Sequence, residues 1–143
     1  MNAEDMKSKI NSRTKAIMPV HLTGRMCEMK KIMRIAKKKN IKVIEDCAQS
    51  IGSIYDKKKS GSIGDIGAFS THPLKNLNAC GDGGFIITNN KKLYNFIKLK
   101  RNHGHITREK VKFFGTVSRL DSIQAVILNL SLIHISEPTR LSA

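Results

Sequence analysis

Asp46, Ser70 and Lys75 are the residues whose types and order could carry chemistry in this chain. A lysine amine that loses solvation drops its pKa and becomes a nucleophile able to form an imine with a carbonyl. Lys75 lies in FSTHPLKNLNACGDGG, where Pro73 stiffens the approach and Gly81, Gly83 and Gly84 permit close turns after it. Asp46 closes the segment IKVIED. A carboxylate at the carboxyl end of a parallel strand faces a ligand crevice and can pair with a cation there. Ser70 offers a hydroxyl to an anion. An imine-forming amine, a carboxylate that keeps a pyridinium nitrogen protonated and a hydroxyl for a phosphate are together what pyridoxal 5'-phosphate (PLP) chemistry requires. Each residue alone also has an ordinary reading. An acid after a strand caps a helix or sits in a solvated turn, and most lysines are solvated.

Positioning these groups takes a layered fold. Thr14 to His21 (TKAIMPVH) is a short run of strand formers, with Pro19 marking an edge or a strand end. Met26 to Lys39 is predicted helical: Met29, Ile32, Met33 and Ala36 share one stripe, lysines cover the other face, and Asn40 ends it. Ile41 to Asp46 is the next strand, which completes a βαβ unit with parallel, buried strands. Lys57 to Lys59 read as a solvated turn. Gly61 to Ser70 is a glycine-punctuated turn running into a strand, Thr71 to Asp82 a loop, and Gly83 to Thr88 a strand. Lys91 to Asn102 is predicted helical with Leu93, Phe96 and Ile97 inward. Arg119 to Asn129 is predicted helical with Leu120, Ile123 and Ile127 on one face. Residues 1–13 are polar and start a helix or a linker.

Composition narrows the classes. The chain has 143 residues, one domain's worth; with 40% apolar and 26% charged residues, wholesale disorder, collagen and coiled coil are poor descriptions. No apolar run reaches the roughly 18 to 20 residues of a membrane span, and the first residues have no secretory apolar core. Cys27, Cys47 and Cys80 form no CxxC pair and no zinc pattern, so no metal is expected and a reducing, cytoplasmic setting fits. The net charge of +15 raises nucleic-acid binding as one reading. Aromatics are only 5% and do not interleave with the lysine runs, so solvated basic faces are the better account and no nucleic-acid partner is expected.

Several separated segments carry a more specific signal. TKAIMPVHLTG, KVIEDCAQSIG, GSIGDIGAFSTHPLKNLNACGDGGFIITNN, LKRNHG and SRLDSIQA, in that order, resemble the DegT/DnrJ/StrS family of sugar aminotransferases over nearly all of residues 11–129. The resemblance implies an α/β fold: part of the large domain of the aspartate-aminotransferase type, an α/β/α sandwich on a mixed, mostly parallel sheet. It implies that Lys75 is the Schiff-base lysine and the proton carrier. It implies Asp46 at the pyridinium nitrogen, Gln49 at the phenolic oxygen, Ala48 against one ring face and Ser70 at the phosphate. Asn76 and the turn Gly81–Gly84 would support the lysine loop. His21, in the family's PVH motif, is placed either near the site or as a satisfied strand-end histidine, and His103 is left equally open. The implied reaction moves an amino group from glutamate or glutamine to a keto sugar carried on a nucleotide, in a homodimer.

Departures from the family pattern are part of the reading. Residues 1–129 are expected to be a partial large domain, without the family's N-terminal phosphate-gripping segment and its small C-terminal domain. Val117 stands where many relatives have an asparagine that reaches the neighbouring subunit's phosphate site. Leu130 to Arg140 (LSLIHISEPTR) resembles the conceptual translation of a sequencing adaptor, so 130–143 is expected to be a non-native tail. The isolated chain is expected to fold poorly and to be inactive, because bare sheet edges aggregate. The alternatives are a PLP-dependent sugar dehydratase of the same family, in which a histidine typically replaces the lysine that here is Lys75, a regulatory relative, or a basic nucleic-acid-binding module.

Overall fold

Asn2 opens the first helix, α1 (Ala3–Lys9). Its side chain accepts the backbone N–H groups of Glu4 and Asp5, which a helix start otherwise leaves bare. Acids at the start and Lys7 and Lys9 at the end complement the helix dipole. The computed structural model, which describes residues 1–136, therefore resolves the polar opening segment as a helix, and it buries Ala3 and Met6 in the core.

Strand β1 (Ala16–Ile17) follows, then a short 3-10 turn, Leu22–Gly24, and helix α2 (Met29–Lys39). Met29, Ile32 and Ala36 are buried on the predicted stripe, while Met33 is only partly covered. The helix begins later than Met26: Glu28 is its N-cap, with a non-helical backbone at φ −69° and ψ +67°, and the Cys27 N–H before it donates to His21 Nδ1 at 3.2 Å. Asn40 ends it in the left-handed region, φ +53°, returning its N–H to Ala36 and Lys37.

Strand β2 (Lys42–Asp46) completes the βαβ unit. A hairpin absent from the sequence reading comes next: β3 (Ile54–Tyr55) pairs antiparallel with β4 (Lys58–Lys59). Asp56 and Lys57 both take positive φ, +49° and +63°, the backbone of a two-residue turn whose twist matches the strands. Lys57 is thus in a turn as expected, whereas Lys58 and Lys59 are strand residues.

Strands β5 (Ile66–Ser70) and β6 (Gly84–Ile87) finish a four-stranded sheet of order β1-β2-β5-β6. The first three strands are parallel and β6 is antiparallel to β5. Glycine is required where β5 meets the preceding turn: a Cβ on Gly67 would lie 2.4 Å from Gly61 Cα. Helices α1 and α2 cover one face of the sheet, around Ile17, Ile32, Ile41 and Val43. Each such side chain contributes about 1.5 to 3 kcal/mol when fully buried.

Helix α3 (Lys91–Lys100) is capped by Asn90, whose side chain accepts from Lys92 and Leu93 N–H. Asn90→Ala is expected to cost about 1 kcal/mol, read as a shift in the denaturant midpoint at constant slope. Two expectations for the later helices fail. Phe96 is not inward: it is 51% exposed and stacks on Phe113 at 5.2 Å, outside the Leu93 and Ile97 face. Helix α4 (Ser122–Ser136) starts after Arg119 and Leu120. The preceding segment is held off the helix, with Arg101 Nε donating to Ser118 O and Arg119 donating to Asn102 Oδ1. Ile123 is not on a covered face; it is 68% exposed, and Val126 and Leu130 are 59% and 58% exposed. The helix crosses the Asn129 boundary without a break, and the remainder of the expected tail, 137–143, lies outside the described residues. No helix among the described residues is long and apolar enough to cross a membrane.

Candidate active site

The three parallel strands end on the same side of the sheet, where ligands bind in open α/β folds. Alternation along β2 sends Lys42, Ile44 and Asp46 to one face and Val43 and Glu45 to the other. The register sets Asp46 beside Ala68 of β5. A cavity of about 270 Å³ opens there, lined by Met18, Ile44, Asp46, Ala48, Ala68 and Ser70, with Phe69 and Gly83. Asp46 Oδ1 accepts the Ala48 N–H at 3.0 Å, which folds the chain tightly after the strand. Ser70 Oγ accepts the His72 N–H at 3.3 Å. Thus Asp46, Ala48 and Ser70 share one wall system.

Gln49 and Lys75 are placed differently. Gln49 does not line this cavity; its Oε1 accepts the Thr23 N–H at 2.8 Å and ties the β2 end to the Leu22–Gly24 turn. Lys75 sits half-buried on the loop joining β5 to β6, at the same end of the sheet, and is not among the residues lining the cavity. Its loop is pinned at the base. Thr71 N–H donates to Gly83 O and Ala79 N–H to Thr71 O, both at 2.9 Å. Gln124 of α4 accepts the Cys80 N–H through Oε1 at 2.9 Å. A Cβ on Gly83 would lie 2.6 Å from Thr71 Oγ1 and 2.7 Å from Leu120 Cδ1, so a larger residue there would have to displace both side chains. Asn76 is exposed. His103 is exposed as well, on a positive-φ backbone, with its ring edge against His105, and it does not reach the cavity. Val117 is 59% exposed.

Behind the cavity lies a buried carboxylate–imidazole pair, whose acid the sequence reading does not single out. Glu45 and His21 are both fully buried. His21 Nδ1 accepts the Cys27 N–H, so Nε2 carries the proton and donates to Glu45 Oε2 at 3.0 Å. Gly61 N–H also donates to Oε2, at 3.1 Å, while Ile63 and Gly64 N–H donate to Oε1 at 2.7 and 2.6 Å. Burial alone would push the Glu45 carboxyl up; His21 and the three N–H groups outweigh it and hold the carboxyl below its ordinary value. Cys47, next on this face, is pushed up to about 11, chiefly by burial and further by Glu45 and Asp46. His21, Glu45 and Cys47 bring ligand atoms within 4.8 Å of one another. The donors and acceptors of His21 and Glu45 are spent on each other and on the backbone, and the Cys47 thiol stays protonated, so this is a structural core and not a cation cradle. His21 is therefore the satisfied strand-end histidine. The signal available in the sequence was period two: Val43, Glu45 and Cys47 share the core face, and an acid there demands buried donors.

The chain is 50% identical over 132 residues to a dTDP-3-amino-3,6-dideoxy-alpha-D-galactopyranose transaminase of Aneurinibacillus thermoaerophilus, covering 92% of this chain and 36% of that protein. It is 44% identical over 136 residues to a UDP-N-acetyl-3-dehydro-alpha-D-glucosamine 3-aminotransferase of Acidithiobacillus ferrooxidans, covering 95% and 37%. Among solved structures it superposes on DesV of S. venezuelae with a TM-score of 0.90 at 34% identity, covering 95% of this chain and 37% of DesV. It also superposes on NtdA of Bacillus subtilis, solved with bound cofactor PMP, with a TM-score of 0.80 at 35% identity, covering 92% and 31%. The chain thus spans little more than a third of the length of the relatives it matches. With the pattern of the family matching residues 1–140, the chain belongs to the DegT/DnrJ/EryC1/StrS aminotransferase family.

Proposed function

We propose that this chain supplies the cofactor-holding part of a PLP-dependent aminotransferase that moves an amino group from glutamate or glutamine to a nucleotide-linked keto sugar. Residues 1–129 are read as part of its large domain and 130–143 as a non-native tail. The observation that carries the reading is the cavity at the strand ends, where Asp46, Ala48 and Ser70 meet and Lys75 stands on the adjoining loop. The residues fit the cofactor. A carboxylate and a hydroxyl sit on neighbouring strands around a mostly apolar space, which is what a flat, phosphorylated pyridine requires. When bound, PLP supplies the electron sink for the amino-acid and sugar carbon atoms. Asp46 would hold a proton on the ring nitrogen with a carboxylate oxygen. Ala48 would present its methyl to a ring face. Ser70 Oγ would donate to the phosphate. Gln49 would reach the phenolic oxygen only by leaving Thr23. The Lys75 amine would hold the cofactor covalently and carry the proton between cofactor and substrate carbon, which requires its loop to bring Nζ to the cavity.

A cytoplasmic homodimer belongs to the same proposal. Resemblance to the family supports the dimer, and three unpaired cysteines, two of them buried, support a reducing compartment. The nucleotide-linked sugar is suggested by the relatives named above, and glutamate or glutamine as donor by the resemblance to the family. Borohydride reduction of the PLP-loaded full-length protein, followed by peptide mass spectrometry, is expected to place the pyridoxyl adduct on Lys75. An adduct on another lysine, or none, would sink the assignment.

A further inference from the structure

The cavity walls come from three chain segments, and one buried side chain touches the foundations of all three. Met18 lies just beyond β1, Asp46 and Ala48 at the end of β2, and Ala68 and Ser70 on β5. Asp46 has no freedom of its own at the backbone. Its N–H donates to Pro19 O at 2.9 Å and its carbonyl accepts the His21 N–H at 3.1 Å. The segment holding it is fixed in turn by the His21 ring on Glu45. The other Glu45 bonds gather Gly61, Ile63 and Gly64, the turn that leads directly into β5.

We infer that the buried Glu45–His21 pair is a positioning device for the cofactor cavity: it sets the Asp46 carboxylate against the β5 wall from the opposite face of the sheet. This rests on the PLP reading above. Glu45 touches no cavity atom; it acts through β2, through the Pro19–His21 segment and through the Gly61–Gly64 turn. Its geometry admits no neutral substitute. Each carboxylate oxygen accepts two hydrogen bonds, so an amide in either orientation turns its NH2 toward two donors. His21 cannot relieve this by changing tautomer, because Nδ1 is held by Cys27 N–H.

The test is PLP affinity, measured by fluorescence titration on the full-length protein at a temperature where circular dichroism shows each variant folded. Glu45→Gln and His21→Ala are expected to weaken PLP binding about tenfold, as the loss of a supporting partner does at other built sites. His21→Gln, which can still donate to Glu45 and accept from Cys27, is expected to stay within about threefold of wild type. Val43→Ala, on the same strand and the same face and fully buried, is the control for mere destabilisation and should leave the affinity unchanged. If Glu45→Gln does not fold, His21→Ala decides, since it leaves the carboxylate its three backbone donors. Wild-type affinity in folded Glu45→Gln or His21→Ala, or an equal loss in Val43→Ala, would overturn the inference. A wild-type protein that binds no PLP would overturn the cofactor reading itself, and this inference with it.

Discussion

Replacing Lys75 by arginine is expected to lower amino transfer by the full-length protein on the order of 10³-fold or more, because two roles vanish at once. The guanidinium keeps the positive charge but stays protonated in proteins, so it cannot attack a carbonyl. It also cannot shuttle a proton at neutral pH. The loop itself should survive the change. Its anchors are backbone groups of Thr71, Ala79 and Gly83 and the Gln124 amide, and the Lys75 side chain takes no part in them. The measurement is single-turnover conversion of an amino donor, alongside PLP affinity. Loss of turnover with a protein that still folds and still takes up PLP non-covalently is the expected result. Residual activity within tenfold of wild type would mean that another group carries the proton.

The second large effect falls on stability. Glu45→Ala is expected to cost about 3 to 5 kcal/mol, because each buried donor left without an acceptor costs about 1 to 3 kcal/mol. Three backbone N–H groups and the His21 ring would lose their acceptor in a site with no access to water. Against a typical total of about 5 to 15 kcal/mol, that is a large fraction of the fold's margin. Denaturant unfolding followed by circular dichroism reads it. The same side chain sets a pH dependence. A carboxyl whose folded pKa lies below its unfolded value stabilises the protein fully above the unfolded value and loses that contribution as pH falls through the folded one. Wild-type stability should therefore decline as the pH drops below the ordinary carboxyl value of 4.5. Glu45→Gln should show a shallower decline. Equal slopes would mean that Glu45 is not the group responsible.

Where the hydrophobic period was strong, the sequence was a good guide. Met29, Ile32 and Ala36 are buried as their spacing requires, and IKVIED forms a strand that delivers Asp46 to the end of the sheet. The family motifs bring the candidate residues together only at the level of segments. Distances were beyond them: Asp46, Ala48 and Ser70 meet in one cavity, but Gln49 is turned to Thr23 and Lys75 stands on the adjacent loop. Glu45 was hidden because two acids at a strand end look alike in one dimension, although the pleat sends one to the cavity and the other to the core. The hairpin at Ile54–Lys59 was missed because lysine is a poor strand former and the strands are two residues long. Phe96 is expected inward from periodicity alone, yet it is exposed. Periodicity finds a helix's apolar stripe but does not say which of its members a neighbour covers.

Helix α4 has a further consequence for the 143-residue chain in solution. Its exposed Ile123, Val126 and Leu130 form an adhesive surface on a particle that carries a net charge of +15. At low ionic strength mutual repulsion keeps such particles apart. At about 0.1 M salt that repulsion reaches only about 10 Å, roughly the range at which apolar surfaces begin to meet. Salt should therefore drive this chain out of solution instead of helping it stay there, and light scattering should rise with sodium chloride at constant pH. Its handling would be governed by colloidal balance before any question of catalysis arises.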